Sequence, residues 1–361
     1  MYGEVIPPLV SDKRHLVIRQ PVGVVAAITP WNFPSGMVAR KLAPAMAAGC
    51  TVVLKPAEQT PLSAIAMFEI FEEVGFPPGV VNLVITSDPA PVGEVFVKHP
   101  LVRKITFTGS TDVGKLLMRG AAEQVKRVSL ELGGHAPFLV FEDADLDEAV
   151  EGAVTCKFRN MGQTCVSANR IYVQRSVARE FAARMASLVR SLRVGDPLDE
   201  RTRVGPIIDR QGFEKVRAHV DDAVRKGAEI LAGGAPASPE GLRGLFFEPT
   251  VILATRPDMR VLQEETFGPV APILVFDSEQ EVVRMANSSP YGLAAYVYTR
   301  DLRRAIRVVE GLEYGVIGVN DPIPATAQVP FGGFKQSGLG REGGRHGIEE
   351  FLEVKSISFK L

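Results

Sequence analysis

Short, unbroken apolar runs recur along this chain, separated by segments with helical spacing, and that alternation constrains the fold more than any other feature. Val22 to Thr29 and Thr51 to Leu54 are apolar at nearly every position. A strand that faces solvent on one side would alternate, so these runs read as strands buried on both faces. Between and after them the period changes. Thr60-Pro61 reads as an N-cap followed by a proline at the first helical position, and Leu62, Ile65, Phe68 and Phe71 form an apolar stripe that stops near Gly75. Val80 to Ile85, Lys104 to Phe107 and Val128 to Leu132 repeat the strand pattern. The result is a βαβ series, which implies a mostly parallel sheet.

A second series begins near Gly133-Gly134. Phe138 to Phe141 reads as a strand, Asp145 as the cap of a helix running towards Arg159, Ile171 to Val173 as a strand and Val177 to Leu192 as a long helix. Alternation continues to about Val319, giving a second α/β domain. The Gly/Pro-rich stretch from Gly233 to Gly244 reads as a loop, since strand-like Phe246-Phe247 follows at once. At the front, Val5 to Pro8 and His15 to Arg19 flank a polar turn and form a hairpin too small to bury its own faces. The closing Leu352 to Phe359 run is its natural partner. With 361 residues, 46% of them hydrophobic, the chain is long enough for two cores and unlike a disordered one.

Charge and cysteine usage exclude several function classes. The 41 basic and 42 acidic residues leave a formal net charge of -1, so no general positive field exists to hold a nucleic-acid backbone. The three cysteines, Cys50, Cys156 and Cys165, form neither a CxxC pair nor a disulfide framework, which points to a reducing cytoplasm. The five histidines are scattered without ligand spacing, so no metal is expected. No leader pattern and no apolar run of membrane-spanning length is present.

Three segments can carry chemistry. Cys165 follows Gly162-Gln163-Thr164 and precedes small residues. At a turn leading into a helix its thiol would meet backbone N–H groups that favour the thiolate, although a cysteine is more often an ordinary core residue. Cys50 and Cys156 read as core thiols. Glu131 interrupts Val128-Ser129-Leu130-Glu131-Leu132 just before two glycines. A carboxylate at the end of a parallel strand points into the crevice where such sheets bind ligands and suits a general base, while an ion-paired or capping glutamate fits the position equally well. Phe107-Thr108-Gly109-Ser110-Thr111 has the strand, turn and helix start that cradle a phosphate, without the full glycine fingerprint. Lys55 and Glu58, after an apolar strand, could meet ribose hydroxyls or be plain surface charge.

Together these segments resemble the aldehyde dehydrogenase superfamily. The resemblance runs in order through Pro30-Trp31-Asn32-Phe33-Pro34, Lys55-Pro56-Ala57-Glu58, Phe107 to Thr111, Glu131-Leu132-Gly133-Gly134, Gly162-Gln163-Thr164-Cys165, Glu264-Glu265-Thr266-Phe267-Gly268-Pro269 and Pro330-Phe331-Gly332-Gly333. It implies oxidation of an aldehyde to an acid, with Cys165 as nucleophile, Asn32 and the Cys165 N–H holding the oxyanion, and Glu131 activating water. It implies cofactor contacts from Ile28, Pro30, Trp31, Lys55, Glu58, Gly109, Ser110, Leu132, Glu265 and Phe267. Members that prefer NADP often carry a small hydroxyl residue where this chain has Glu58, so NAD is expected over a still usable NADP.

Within the superfamily the succinate-semialdehyde dehydrogenase group is the most similar, through Arg40 and through Lys157-Phe158-Arg159-Asn160. That likeness places Arg40 and Arg159 at the distal carboxylate of the substrate, with Phe33, Ala325, Thr326 and Phe331 also lining its pocket. A hydroxyl residue usual there is replaced by Ala325, which leaves room for a longer or different semialdehyde. A second cysteine that some members carry after the nucleophile is here Ser167. The resemblance divides the chain into an oligomerisation hairpin (1–21), an NAD-binding domain (22–133), a catalytic domain (134–335) and a return segment with a C-terminal oligomerisation strand (336–361), assembled as a homodimer or homotetramer. Measured against the family the sequence starts at that hairpin, which raises the expectation of an incomplete cofactor domain and impaired turnover. A broad-specificity aldehyde dehydrogenase and a structural relative without turnover are the alternatives.

Overall fold

The computed structural model describes residues 2–254 and 256–361. Met1, at the head of the expected hairpin, lies outside them. Contacts divide the chain into two compact units, one made of Met1–Glu131, Thr326–Gly332 and Gly338–Leu361, the other of Leu132–Ala325 and Gly333–Ser337.

The first unit opens with β1 (Glu4–Ile6) and β2 (Lys13–Pro21), an antiparallel pair, and continues with β3 (Val24–Ile28), whose Val25, Ala26 and Ala27 are almost fully buried. Helix α1 (Pro34–Ala47) starts on a proline at its first turn. Its Val38, Leu42 and Ala45 pack into the same core as Val25 and Ala27 of β3 and Val52 and Leu54 of β4 (Thr51–Lys55). Helix α2 (Leu62–Val74) ends on Gly75 in the left-handed conformation that relieves the last carbonyls. It begins one residue later than the Thr60-Pro61 reading. The Thr60 hydroxyl is diverted to the Trp31 carbonyl at 3.3 Å, so it caps nothing. Strand β5 (Val81–Leu83), helix α3 (Pro89–Lys98), strand β6 (Val102–Thr108), helix α4 (Thr111–Ala122) and strand β7 (Arg127–Glu131) complete the series.

In the second unit β8 (Ala136–Val140) is buried throughout, and α5 (Leu146–Phe158) is capped by Asp145, whose carboxylate accepts the N–H groups of Asp147 and Glu148. Strand β9 (Ala168–Gln174) runs into α6 (Arg175–Arg190), and Asp209 caps α7 (Arg210–Arg225). After β10 (Glu229–Ala232) the Gly/Pro-rich stretch is more ordered than a loop, because β11 (Pro236–Ala237) folds back antiparallel on β12 (Phe246–Phe247). Next come β13 (Thr250–Leu253), the single turn α8 (Arg260–Gln263), β14 (Val270–Phe276), α9 (Glu279–Asn287), β15 (Tyr291–Gly292), β16 (Ala294–Tyr298), α10 (Leu302–Gly311), β17 (Val316–Val319) and β18 (Phe334–Lys335). The chain then returns to the first unit as β19 (Gly338–Leu339), α11 (Gly344–Glu349) and β20 (Leu352–Lys360).

Each unit is built on one large sheet. In the first the order is β19-β7-β6-β3-β4-β5, parallel except for β19 at the edge. In the second it is β10-β13-β14-β9-β8-β16-β17, parallel except for β10. The closing strand β20 pairs with β2 along its whole nine-residue length, and β1 extends that small sheet. Among the described residues no helix is long and apolar enough to cross a membrane.

Candidate active site

In the first unit β3 lies between β4 and β6, so the chain leaves it in one direction and later returns on the other side. The carboxyl ends of β3 and β6 therefore flank a topological switch point, where open α/β sheets bind ligands. Ile28 closes β3, and Pro30, Trp31, Asn32 and Phe33 form the turn beyond it, tied down by the Thr29 N–H to the Lys55 carbonyl (3.2 Å) and by Thr60 to Trp31 (3.3 Å). Beyond β6 comes Gly109, where a Cβ would stand 2.5 Å from the Phe107 ring. Ser110 then caps α4, its hydroxyl accepting the Val113 N–H at 3.4 Å. Backbone N–H groups at such a helix start can receive a phosphate.

Lys55 closes β4, is buried, and donates to Glu58 at 2.7 Å. Glu58 itself is exposed. Desolvation opposes ionisation of Glu58, but the Lys55 hydrogen bond and charge outweigh it and hold the carboxyl below its usual range. Glu131 closes β7 and is buried, paired across from Gly338. Arg40, from α1, stacks 4.6 Å over the ring of buried Phe331 and stands 3.8 Å from the Glu342 carboxylate, which also accepts from Lys41 at 2.8 Å. Its guanidinium thus already has an aromatic face and an anion within this unit. Thr326 is exposed.

In the second unit the candidate residues gather at the opposite ends of the strands. Leu132 to Gly134 lead into β8, Cys165 precedes β9, and Glu265 to Phe267 precede β14. The turn that carries Cys165 leads into a strand, so the expected run of helical N–H groups does not follow it. Positive φ at Asn160, Met161 and Gly162 ends the helical path, and the β-branched and aromatic residues of β9 take over. Side chains and close backbone contacts hold this turn instead. Asn160 and Gln163 each donate to the other's carbonyl at 3.3 Å, the Gln163 side-chain oxygen accepts the Ile208 N–H at 3.0 Å, and Tyr296 donates to the Val166 carbonyl at 2.7 Å. At Gly134 a Cβ would stand 2.3 Å from the Cys165 carbonyl oxygen, and at Gly162 the same distance from that of Gly268. Both positions require glycine.

Cys165 is the only one of the three thiols not buried. Burial pushes the Cys156 thiol up to about 11, and Cys50 is raised for the same reason, so neither is a nucleophile. Arg159 ends α5 with its side chain exposed, and Ala325 is half-buried. Glu265, half-buried, accepts the Gly134 N–H at 3.0 Å; its carboxyl is pushed up to about 7 by desolvation, moderated by that bond and by Lys215 and Lys157. Lys157, fully buried, donates to Asn169 at 2.7 Å, and burial brings it down to about 7 against the fields of Cys156 and Glu265. The sequence reading treated Lys157 only as part of a motif and passed over His219. The legible signal for His219 was its place among Val216, Val220 and Ala223 on the apolar stripe of α7. Among the described residues no three His, Cys, Asp or Glu side chains gather as metal ligands.

Residues 1–357 match the model of the family described as "Aldehyde dehydrogenase family". The chain is 56% identical over 357 residues to a probable succinate-semialdehyde dehydrogenase [NADP(+)] of Sinorhizobium fredii, covering 99% of this chain and 72% of that protein. It is 54% identical to a 3-sulfolactaldehyde dehydrogenase of Pseudomonas putida, with 99% and 73% covered. A crystal structure described as an E. coli NADP dependent enzyme superposes with a TM-score of 0.97 at 52% identity, covering 100% of this chain and 74% of that one.

Proposed function

The chain belongs to the aldehyde dehydrogenase family, and from that premise we propose that it oxidises a small aldehyde carrying an anionic group at its far end. The chemistry is oxidation of an aldehyde to a carboxylic acid through a cysteine, with NAD or NADP as oxidant. In this reading the Cys165 thiolate adds to the aldehyde carbon to form a thiohemiacetal. The Asn32 amide and the Cys165 N–H steady the oxyanion, which exists only once the carbon is tetrahedral. The bound dinucleotide supplies the hydride acceptor. A thioester remains on Cys165, and water that has given a proton to Glu131 cleaves its C–S bond, releasing the acid and restoring the thiolate.

The residues fit such a cofactor on two grounds: a switch point with a helix start at Ser110, and a half-buried carboxyl at Glu265 that already accepts one N–H and can accept from ribose hydroxyls. Ile28, Pro30, Trp31, Lys55, Gly109, Leu132 and Phe267 complete the cofactor contacts in this reading. We assign NAD the preference, since the Glu58 carboxylate stays ionised and repels a 2′-phosphate; its Lys55 partner moderates the repulsion and leaves NADP usable.

The observation that carries the substrate reading is Arg159, an exposed residue at the end of α5, where the chain turns towards Cys165. Two relatives named for acidic aldehydes support it. Phe33, Phe331, Ala325 and Thr326 would line the rest of the pocket. Arg40 is engaged by Glu342 and Phe331, and this favours broad aldehyde specificity as the second reading. Efficiency with acidic and neutral aldehydes of equal length decides between them. Arg159→Ala should lose about 10- to 100-fold with the acidic aldehyde alone, the equivalent of one charged hydrogen bond. An equal loss with both sinks the clamp. We further read the β1-β2-β20 sheet, with Val5, Val354 and Phe359 exposed, as the interface of a homodimer or homotetramer, and the three free thiols as fitting the cytoplasm.

A further inference from the structure

Helix α7 carries none of the residues assigned to the reaction, yet it turns three side chains towards the segment 260–268. Val216, His219 and Asp222 lie on successive turns of one face, and all three are buried. The Asp222 carboxylate accepts the N–H of Arg260, the first residue of α8, at 2.8 Å. The buried His219 ring reaches Glu264 with Nε2 at 3.2 Å and Thr266 with Nδ1 at 3.1 Å. Val216 fills the space beside Gly268, where a Cβ would stand 2.2 Å from its Cγ2. The two residues gripped by the imidazole are the immediate neighbours of Glu265, one on each side. Beyond them Phe267 holds a positive φ of 53°, a conformation that costs a bulky residue energy and persists only where its surroundings enforce it.

From this geometry we propose that His219 is a positioning residue for the cofactor: its two ring nitrogens hold the side chains of the residues on both sides of Glu265, and so aim that carboxyl and the Phe267 ring. The inference rests on the assignment of Glu265 to the nicotinamide ribose.

The hydrogen-bond chemistry defines the state of the ring. A carboxylate only accepts, so Nε2 carries the proton towards Glu264, and Nδ1 receives the Thr266 hydroxyl proton. That is the neutral tautomer, and burial lowers the imidazole to about 4 in spite of Glu264, so the pin stays in this form throughout the neutral range. Glu264 is itself held by two Arg260 contacts at 3.0 and 3.1 Å, so the pin connects α7 to a braced partner. The Gly268 carbonyl in turn packs against Gly162, and the Gln163 side chain accepts from Ile208 just ahead of the α7 cap. The helix therefore braces the Glu265 segment directly, while the Cys165 turn is held through Ile208, ahead of the helix, by a separate contact that does not involve His219.

That separation supplies the test. His219→Ala should weaken NAD binding, followed by fluorescence of the single tryptophan, Trp31, or by calorimetry, about tenfold or more. The alkylation rate of Cys165 by iodoacetamide in the free enzyme should stay within about twofold, because the cysteine turn keeps its own contacts. His219→Gln, which keeps one donor and one acceptor, should recover much of the affinity, and Thr266→Val should give a partial loss. Glu265→Gln tests the underlying assignment separately. If it leaves NAD affinity intact, the ribose role fails whatever His219 does. If it weakens binding while His219→Ala does not, the pin alone is refuted. Parallel loss of Cys165 reactivity and affinity in His219→Ala, with no recovery in His219→Gln, would make the residue a general core element and also overturn the proposal.

Discussion

The two large sheets present their candidate residues at opposite ends. In the first unit Ile28, Lys55, Ser110 and Glu131 all stand at or just beyond the carboxyl ends of parallel strands. In the second, Leu132, Cys165, Glu265 and Phe267 stand before the amino ends of β8, β9 and β14. At the carboxyl edge a strand feeds a helix start, and the backbone offers free N–H groups to an anion with little help from side chains. At the amino edge nothing of the kind is provided, so each reactive group needs its own support. Gly134 gives way to the Cys165 carbonyl, Tyr296 holds Val166, and α7 holds the segment around Glu265. One edge inherits its binding capacity from topology, and the other assembles it from individual contacts.

A single methyl group is the severest way to probe that difference. Gly134→Ala places a Cβ 2.3 Å from the Cys165 carbonyl and 3.3 Å from Leu293, so the turn must move. Steady-state assays should show kcat reduced by about 100-fold, the usual consequence of displacing a reacting group by an ångström. Unfolding curves should show about 1–3 kcal/mol of lost stability from overpacking. Wild-type turnover in this variant would mean the amino edge is no more exacting than the other.

A pH titration of cofactor binding sharpens the comparison at intermediate scale. Burial raises Glu265 to about 7, so the folded protein holds that proton after an exposed glutamate would have lost it. Ionisation on passing upward through 7 creates the stronger, charge-assisted acceptor. NAD affinity should therefore rise severalfold from pH 6 to 8, and Glu265→Gln should abolish the dependence. The same proton affects stability with the opposite sign: its contribution is complete below the unfolded value near 4.5 and is lost as pH rises through 7. A flat binding profile in wild type would remove Glu265 from the ribose site.

Ser110→Ala should have the smallest effect. The hydroxyl accepts one N–H at 3.4 Å, so its removal should cost about 1 kcal/mol of stability as a lost helix cap. The backbone N–H groups remain, and the KM for NAD should change by no more than about threefold. A tenfold rise would show that the carboxyl edge also depends on a particular side chain.

This difference also explains what the sequence reveals. Buried parallel strands announce themselves as apolar runs, and β3, β4, β6, β8 and β9 lie where Val25, Val52, Ile105, Phe138 and Ile171 predict. The Ser110 helix start and the Asp145 cap are legible because capping is local chemistry. The path of the chain around Cys165 is harder to read, since the switch from helix to strand depends on positive φ at Asn160 and Met161, which side-chain pattern does not encode. The engagement of Arg40 by Glu342 is likewise hidden, because some 300 residues separate them in the chain although both belong to one unit. His219 and Lys157 are buried polar groups on otherwise apolar faces, and their roles come from partners that only the folded chain supplies.

The pairing of β2 with β20 sets a schedule for the molecule's birth. Nearly all of the second unit, Leu132–Ala325, is translated between the main portion of the first and the strands β19 and β20 that complete it. A ribosome releasing residues from the amino end therefore exposes β2 and the β7 edge long before their partners exist. The inserted unit, almost continuous in sequence, is free to fold during that wait, whereas the unit that begins the chain is the last to close.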